Sequence, residues 1–86
     1  MDKPWLKHYP PQVPADVDVR QFGSIPAMLD DSFTRFADRP AFSNLGATMS
    51  YREVDQLSRQ FAAWLHSAAG VAKGDRVAIM LPNLLQ

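Results

Sequence analysis

Eighty-six residues are enough for one small domain, which on folding hides only about 60% of the surface its unfolded chain exposes. Nine Lys and Arg balance nine Asp and Glu, so the overall field gives nucleic acid or an anionic surface no reason to bind, and no partner of that kind is expected. The absence of cysteine removes disulfides, thiolate metal ligands and thiol nucleophiles together.

Residues 1–23 carry Pro4, Pro10, Pro11 and Pro14, a density that forbids a continuous helix or a central strand. An extended Pro-rich leader is expected. Its aromatics Trp5, Tyr9 and Phe22 either lie on a surface, of this domain or of a neighbour, or are incidental to a frayed terminus. The start is positively charged but lacks the apolar stretch of a signal peptide, and no run reaches the ~20 residues of a membrane span, so a cytoplasmic chain is expected.

From Ser24 the period becomes helical. Ile25, Met28, Leu29, Phe33 and Phe36 share one face, Ser24 is a cap, Pro26 falls in the first turn and Pro40 lies beyond the end, which predicts a helix over 25–37. AFSNLGATMS, residues 41–50, then reads as a hairpin with Gly46 at the position needing positive φ. Ser50 and Glu53 have the spacing of a capping box, with Met49 and Val54 as its hydrophobic staple. The second helix carries Val54, Leu57, Phe61 and Leu65 on one stripe and stops at Gly70; Trp64, off that stripe, is expected to cover the core edge or meet another domain.

KGDRVAIMLPN, residues 73–83, places a turn at Gly74 before the apolar run Arg76–Leu81, closed by Pro82. A continuous apolar run is the pattern of a strand covered on both faces. Asn83 then reads as the cap of a helix that Leu84 and Leu85 only begin. The expected class is α/β, ordered helix, β-hairpin, helix, buried strand. A strand buried on both faces needs neighbours that one hairpin does not supply, so residues 24–86 read as an incomplete, truncated subdomain.

None of these residues forms a catalytic constellation. A phosphate loop aims successive backbone N–H groups at an anion from a helix N-terminus, whereas Gly74-Asp75-Arg76 precedes a strand, and neither G-x-x-x-x-G-K-[ST] nor G-x-G-x-x-G occurs. His8 and His66 are far apart and without partners at metal-ligand spacing; His66 suits a helix C-terminus. Adjacent Asp30 and Asp31 point about 100° apart on a helix and read as a solvated face. Ser24, Ser32, Ser43, Ser50, Ser58 and Ser67 lack a nucleophile context and serve as caps or helix surface. Catalytic, cofactor-binding and metal-binding residues are therefore expected to be none.

In series, DRPAF, GATMSYREVDQLSRQFAAWL and GVAKGDRVAIMLPN resemble the opening of the acyl-adenylate-forming, AMP-binding superfamily, over roughly residues 38–86. That opening commonly carries a P-A-[FL] strand, a G-x-x-x-[ST]-Y-x-E-[LV] hairpin and helix start, and a G-[DE]-R-V-A-[IL] strand ending in P-N. The leader PWLKHYPPQVPADVD, the helix at SIPAMLDDSF and the final PNLLQ are similar to the start of bacterial long-chain fatty-acid–CoA ligases. Where many members carry threonine before the tyrosine, Ser50 precedes Tyr51 and keeps the capping hydroxyl.

The resemblance implies a parent acyl-CoA synthetase of fatty acid metabolism. Fatty acid and ATP·Mg²⁺ would yield acyl-adenylate and pyrophosphate, and the coenzyme A thiol would then displace AMP. It also implies that the phosphate loop, the nucleotide contacts, the metal ligand and the mobile lid lie downstream of Gln86, so that this fragment of the N-terminal subdomain is inactive alone. The rest of the parent enzyme is the implied partner, and the parent is cytoplasmic or peripheral to the inner membrane. The competing expectation is a stand-alone self-association or interaction module, pairing as a homodimer through the apolar strand and the leader aromatics.

Overall fold

The structure, a computed structural model, describes residues 2–86. A five-residue 3-10 turn over Pro4–His8 interrupts the leader, with Pro at its start where the missing N–H costs nothing. The leader is thus not extended throughout. Two further turns follow, with the Val13 N–H donating to the Pro10 carbonyl and the Gln21 N–H to that of Asp18.

Helix α1 spans Ile25–Arg35. Ser24 caps it as its residue type predicts, the Oγ accepting from the Ala27 N–H at 3.1 Å. The helix ends one turn short of Pro40, with the Phe36 N–H closing on the Ser32 carbonyl. Strands β1 (Pro40–Asn44) and β2 (Ala47–Ser50) form an antiparallel pair. Phe42 faces Met49, Ser43 faces Thr48 and Asn44 faces Ala47, with an irregularity between Pro40 and Phe42. The Ser43 and Thr48 hydroxyls, 3.0 Å apart, bond across the ladder.

The hairpin turns on Leu45 (φ 49°) and Gly46 (φ 82°), so both central residues are left-handed, as a two-residue primed turn requires. Glycine was expected here; leucine was not. An L-residue with a Cβ is strained in this region, and Leu45 stands almost fully in solvent with no contact to offset the strain. Leu45→Asn should stabilise the hairpin by about 0.5–1 kcal/mol. Slower amide exchange at Ala47, whose N–H faces Asn44 across the turn, would report it, and unchanged or faster exchange would refute it.

Strand β2 runs directly into helix α2 (Tyr51–Ser67) through the predicted capping box. The Glu53 N–H donates to Ser50 Oγ at 3.2 Å, and the Ser50 N–H donates to Glu53 Oε2 at 2.8 Å. At the far end Gly70 adopts φ 65°, and the Val71 N–H donates to the Leu65 carbonyl at 2.8 Å. His66 Nδ1 donates to the Val71 carbonyl at 3.2 Å, which fixes the ring at the helix C-terminus where its residue type suggested.

Helices α1 and α2 meet through Arg59, whose guanidinium lies 2.6 Å from Asp55 and 3.1 Å from Asp30. A hydrogen bond to Asp55, then the charges of Asp55 and Asp30, hold its pKa above the ordinary arginine value. Asp31 pairs instead with Arg35 at 3.1 Å. The two aspartates diverge as helical geometry demands, but Asp30 is more than a solvated face, because it ties one helix to the other.

The run Arg76–Leu81 is not a buried strand. It forms no ladder, and Ile79 and Met80 are 84% and 95% exposed. The physical reason is the missing neighbour: the donors and acceptors of a central strand are satisfied by adjacent strands, and neither β1 nor β2 pairs with this run. The final residues likewise bend at Asn83 and Leu84 without starting a helix.

No side chain among the described residues is buried. The radius of gyration is 17.4 Å, against about 12 Å for a compact chain of this length. The accessible area is 8026 Å², whereas a compact monomer of this mass exposes about 5,100 Å². Residues 2–86 therefore form a scaffold of correct local pieces without a closed core.

Candidate functional site

The turn in KGDRVAIMLPN was the strongest candidate for an anion site, and its geometry is that of a connector. Gly74 has φ 92°, the value that the third position of a type II turn over Ala72–Asp75 requires. The Asp75 N–H donates to the Ala72 carbonyl at 3.0 Å, and the Ala72 N–H donates to Asp75 Oδ2 at 2.8 Å. Both ends of the turn spend their polar groups on each other. The carboxylate beside the backbone would moreover repel a phosphate.

The N-terminus of α2 is a second place where backbone donors converge, and the first four are engaged. Besides the two bonds of the capping box, the Tyr51 N–H donates to the Arg39 carbonyl at 3.1 Å and the Arg52 N–H to the Ala37 carbonyl at 2.9 Å. Arg52 adds a two-pronged contact to Asp38 at 3.2 and 2.7 Å, and that hydrogen bond, followed by the charge, raises its pKa. An anion at this helix end would have to displace protein acceptors. Neither of these two places presents a free row of donors, and no group of three potential metal ligands occurs among the described residues. His8 and His66 stay apart on separate elements, one in the 3-10 turn and one near the end of α2.

What the fold does present is an open apolar groove of about 650 Å³, lined by Met49, Val54, Leu57, Ser58 and Phe61 of β2 and α2 and by Leu85 and Gln86. Met49 and Val54 are the predicted staple, and Leu57 and Phe61 belong to the predicted stripe. Trp64 stacks on Phe61 at 5.8 Å between ring centroids and remains about half exposed. In the leader, Trp5 and Tyr9 are exposed, while Phe22 is half-buried near Met28. No described helix is long and apolar enough to cross a membrane.

The arrangement of capped β2–α2 junction, glycine turn and apolar run coincides with a match to the family model described as "AMP-binding enzyme", over residues 29–86. The chain belongs to the AMP-binding enzyme family. As a family member it is similar along its whole length to the long-chain-fatty-acid–CoA ligase of Yersinia pestis, at 49% identity, and to that of Escherichia coli O157:H7, at 46%. The Bacillus subtilis protein of the same name is 37% identical over 98% of the chain. The chain spans about 15% of the length of these curated relatives. No solved structure matches it.

Among the groups that family membership brings into question, ATP and Mg²⁺ are the ones this segment could be asked to hold. Its residues do not fit them. The convergent N–H groups are spent within the protein, and the carboxylates nearest to them, Asp38 and Glu53, are committed to Arg52 and to the Ser50 N–H.

Proposed function

We propose that the chain is the N-terminal segment of a long-chain fatty-acid–CoA ligase, contributing scaffold to its AMP-binding domain and no group to the chemistry. The observation that carries this reading is the whole-length similarity to ligases of that name. The uncovered groove on α2 and the unpaired run Arg76–Leu81 support it, since both are surfaces that a larger domain would cover. The complete enzyme would join ATP·Mg²⁺ and a fatty acid into acyl-adenylate and pyrophosphate, then form the thioester as coenzyme A displaces AMP.

Two measurements test the two halves of the proposal. The chain given ATP, Mg²⁺, oleate and coenzyme A should form no acyl-CoA, and turnover by a clean sample would refute its silence. A chimera carrying residues 1–86 in place of the corresponding segment of the Yersinia pestis ligase should retain acyl-CoA synthesis. A folded chimera without activity would remove the assignment.

A further inference from the structure

The first four N–H groups of a helix have no acceptor within it and are left to caps or to water. In α2 all four are bonded inside the protein. The capping box takes two, and the carbonyls of Arg39 and Ala37, in the connection from α1 to β1, accept from Tyr51 and Arg52. That connection is gripped from two further sides. The Arg52 guanidinium holds Asp38, which stands between the two carbonyl residues, and Phe36 packs on Tyr51 with the Arg35 and Arg39 guanidiniums 5.1 and 5.4 Å from its own ring centre. The Arg39 N–H closes the connection on itself by donating to the Phe36 carbonyl at 2.8 Å. Every partner named here lies within residues 35–53, so this corner, unlike the groove and the run Arg76–Leu81, is completed by the chain itself.

We infer that Phe36–Arg39 and Ser50–Glu53 form a latch that opens as a single unit, so that α2 frays from its C-terminal end and keeps its first turn shut. The chain leaves the connection through β1, returns through β2 and enters α2 without a break, so the latch closes the hairpin into a ring. Closing a ring costs chain entropy once, and each further bond across the same closure forms without that cost. The bonds of Tyr51, of Arg52 and of the Asp38 pair therefore support one another, and none is lost alone. The far end of α2 has no such closure. Its cap is Gly70 with the Val71 N–H on the Leu65 carbonyl, a contact between near neighbours in sequence. The latch thus makes a fixed corner, carrying α1 and the hairpin at a set angle to α2 although no described side chain is buried between them.

The inference goes beyond the ligase reading and would stand if that reading failed, since it uses only partners within the chain. Amide exchange of the 86-residue chain, followed by NMR, tests it. Tyr51 and Arg52 should be protected at least about tenfold over the unstructured rate and within about threefold of each other, whereas first-turn amides without acceptors exchange freely. Ala68 and Ala69, whose N–H groups donate to the Trp64 carbonyl at the other end, should be less protected than either. Asp38→Ala touches no backbone bond, yet it should lower the protection of Tyr51 and Arg52 by one common factor of about two to five. Tyr51→Pro deletes one latch bond and spares the helix, because position 51 is its first residue and Ser50 before it is already extended. Arg52 should then lose at least about threefold more protection than in Tyr51→Ala, which removes the ring and keeps the N–H, and circular dichroism should show α2 intact in both. Tyr51 and Arg52 exchanging at the unstructured rate, or faster than Ala68 and Ala69, overturns the inference. So does Asp38→Ala acting on Arg52 alone, or equal protection of Arg52 in Tyr51→Pro and Tyr51→Ala.

Discussion

Ala62→Pro is expected to remove most of the helical circular dichroism of α2, the longer of the two α-helices. Residue 62 lies well inside Tyr51–Ser67, where proline deletes one backbone hydrogen bond and drives its ring against the carbonyl one turn earlier, at a cost of about 3 kcal/mol or more. In a domain with a packed core, tertiary contacts would absorb part of that cost. Here no described side chain is buried, so α2 has little beyond its own hydrogen bonds, its caps and the contacts to α1 and the hairpin. Ala62→Ser provides the comparison, since it keeps the N–H and changes propensity only slightly. If the proline variant retained the ellipticity of the serine variant, the claim that α2 carries the scaffold would fail.

The second large effect is expected at the capping box. Ser50→Ala strands the Glu53 N–H, and Glu53→Ala strands the Ser50 N–H; Ser50→Ala should cost about 1 kcal/mol, with a ceiling near 2. The two bonds share the same turn, so the double variant should lose less than the two single losses combined. Ser50→Thr should keep most of the stability, because it retains the hydroxyl. Amide exchange through the first turn of α2 gives the readout. Strictly additive losses would show that the two halves of the box act separately.

The two predictions concern α2 because that helix organises the rest. Its N-terminus takes up the carbonyls of Ala37 and Arg39, which fixes the connection from α1. Its Arg59 reaches Asp30 on α1, and Tyr51 packs against Phe36 at 5.9 Å between ring centroids. The exposed Arg59 pair is a tether rather than a major source of stability, since water and salt screen it. The apolar stripe of the same helix is left looking outward over the groove, which is why a scaffold with sound local structure still exposes so much surface.

The sequence by itself determined most features whose cause lies within a few residues, the 3-10 turn at Pro4–His8 and the left-handed Leu45 excepted. Ser24 and Ser50 start helices because a hydroxyl can reach an N–H three positions on; Gly46, Gly70 and Gly74 turn the chain because they carry no Cβ at positive φ. The motif order from Asp38 to Asn83 also announced the AMP-binding family. Tertiary structure decided what depends on distant partners. Whether Arg76–Leu81 is a strand rests on a neighbouring backbone to bond with, and an apolar run signals burial without containing the neighbour that buries it. The pairing of Asp30 with Arg59, twenty-nine residues apart, was equally unreadable, because a helix pattern gives the face of a charge and not what will stand opposite it. Local rules act through short-range geometry that the chain carries with it; a sheet strand and a core exist only once separate segments have met.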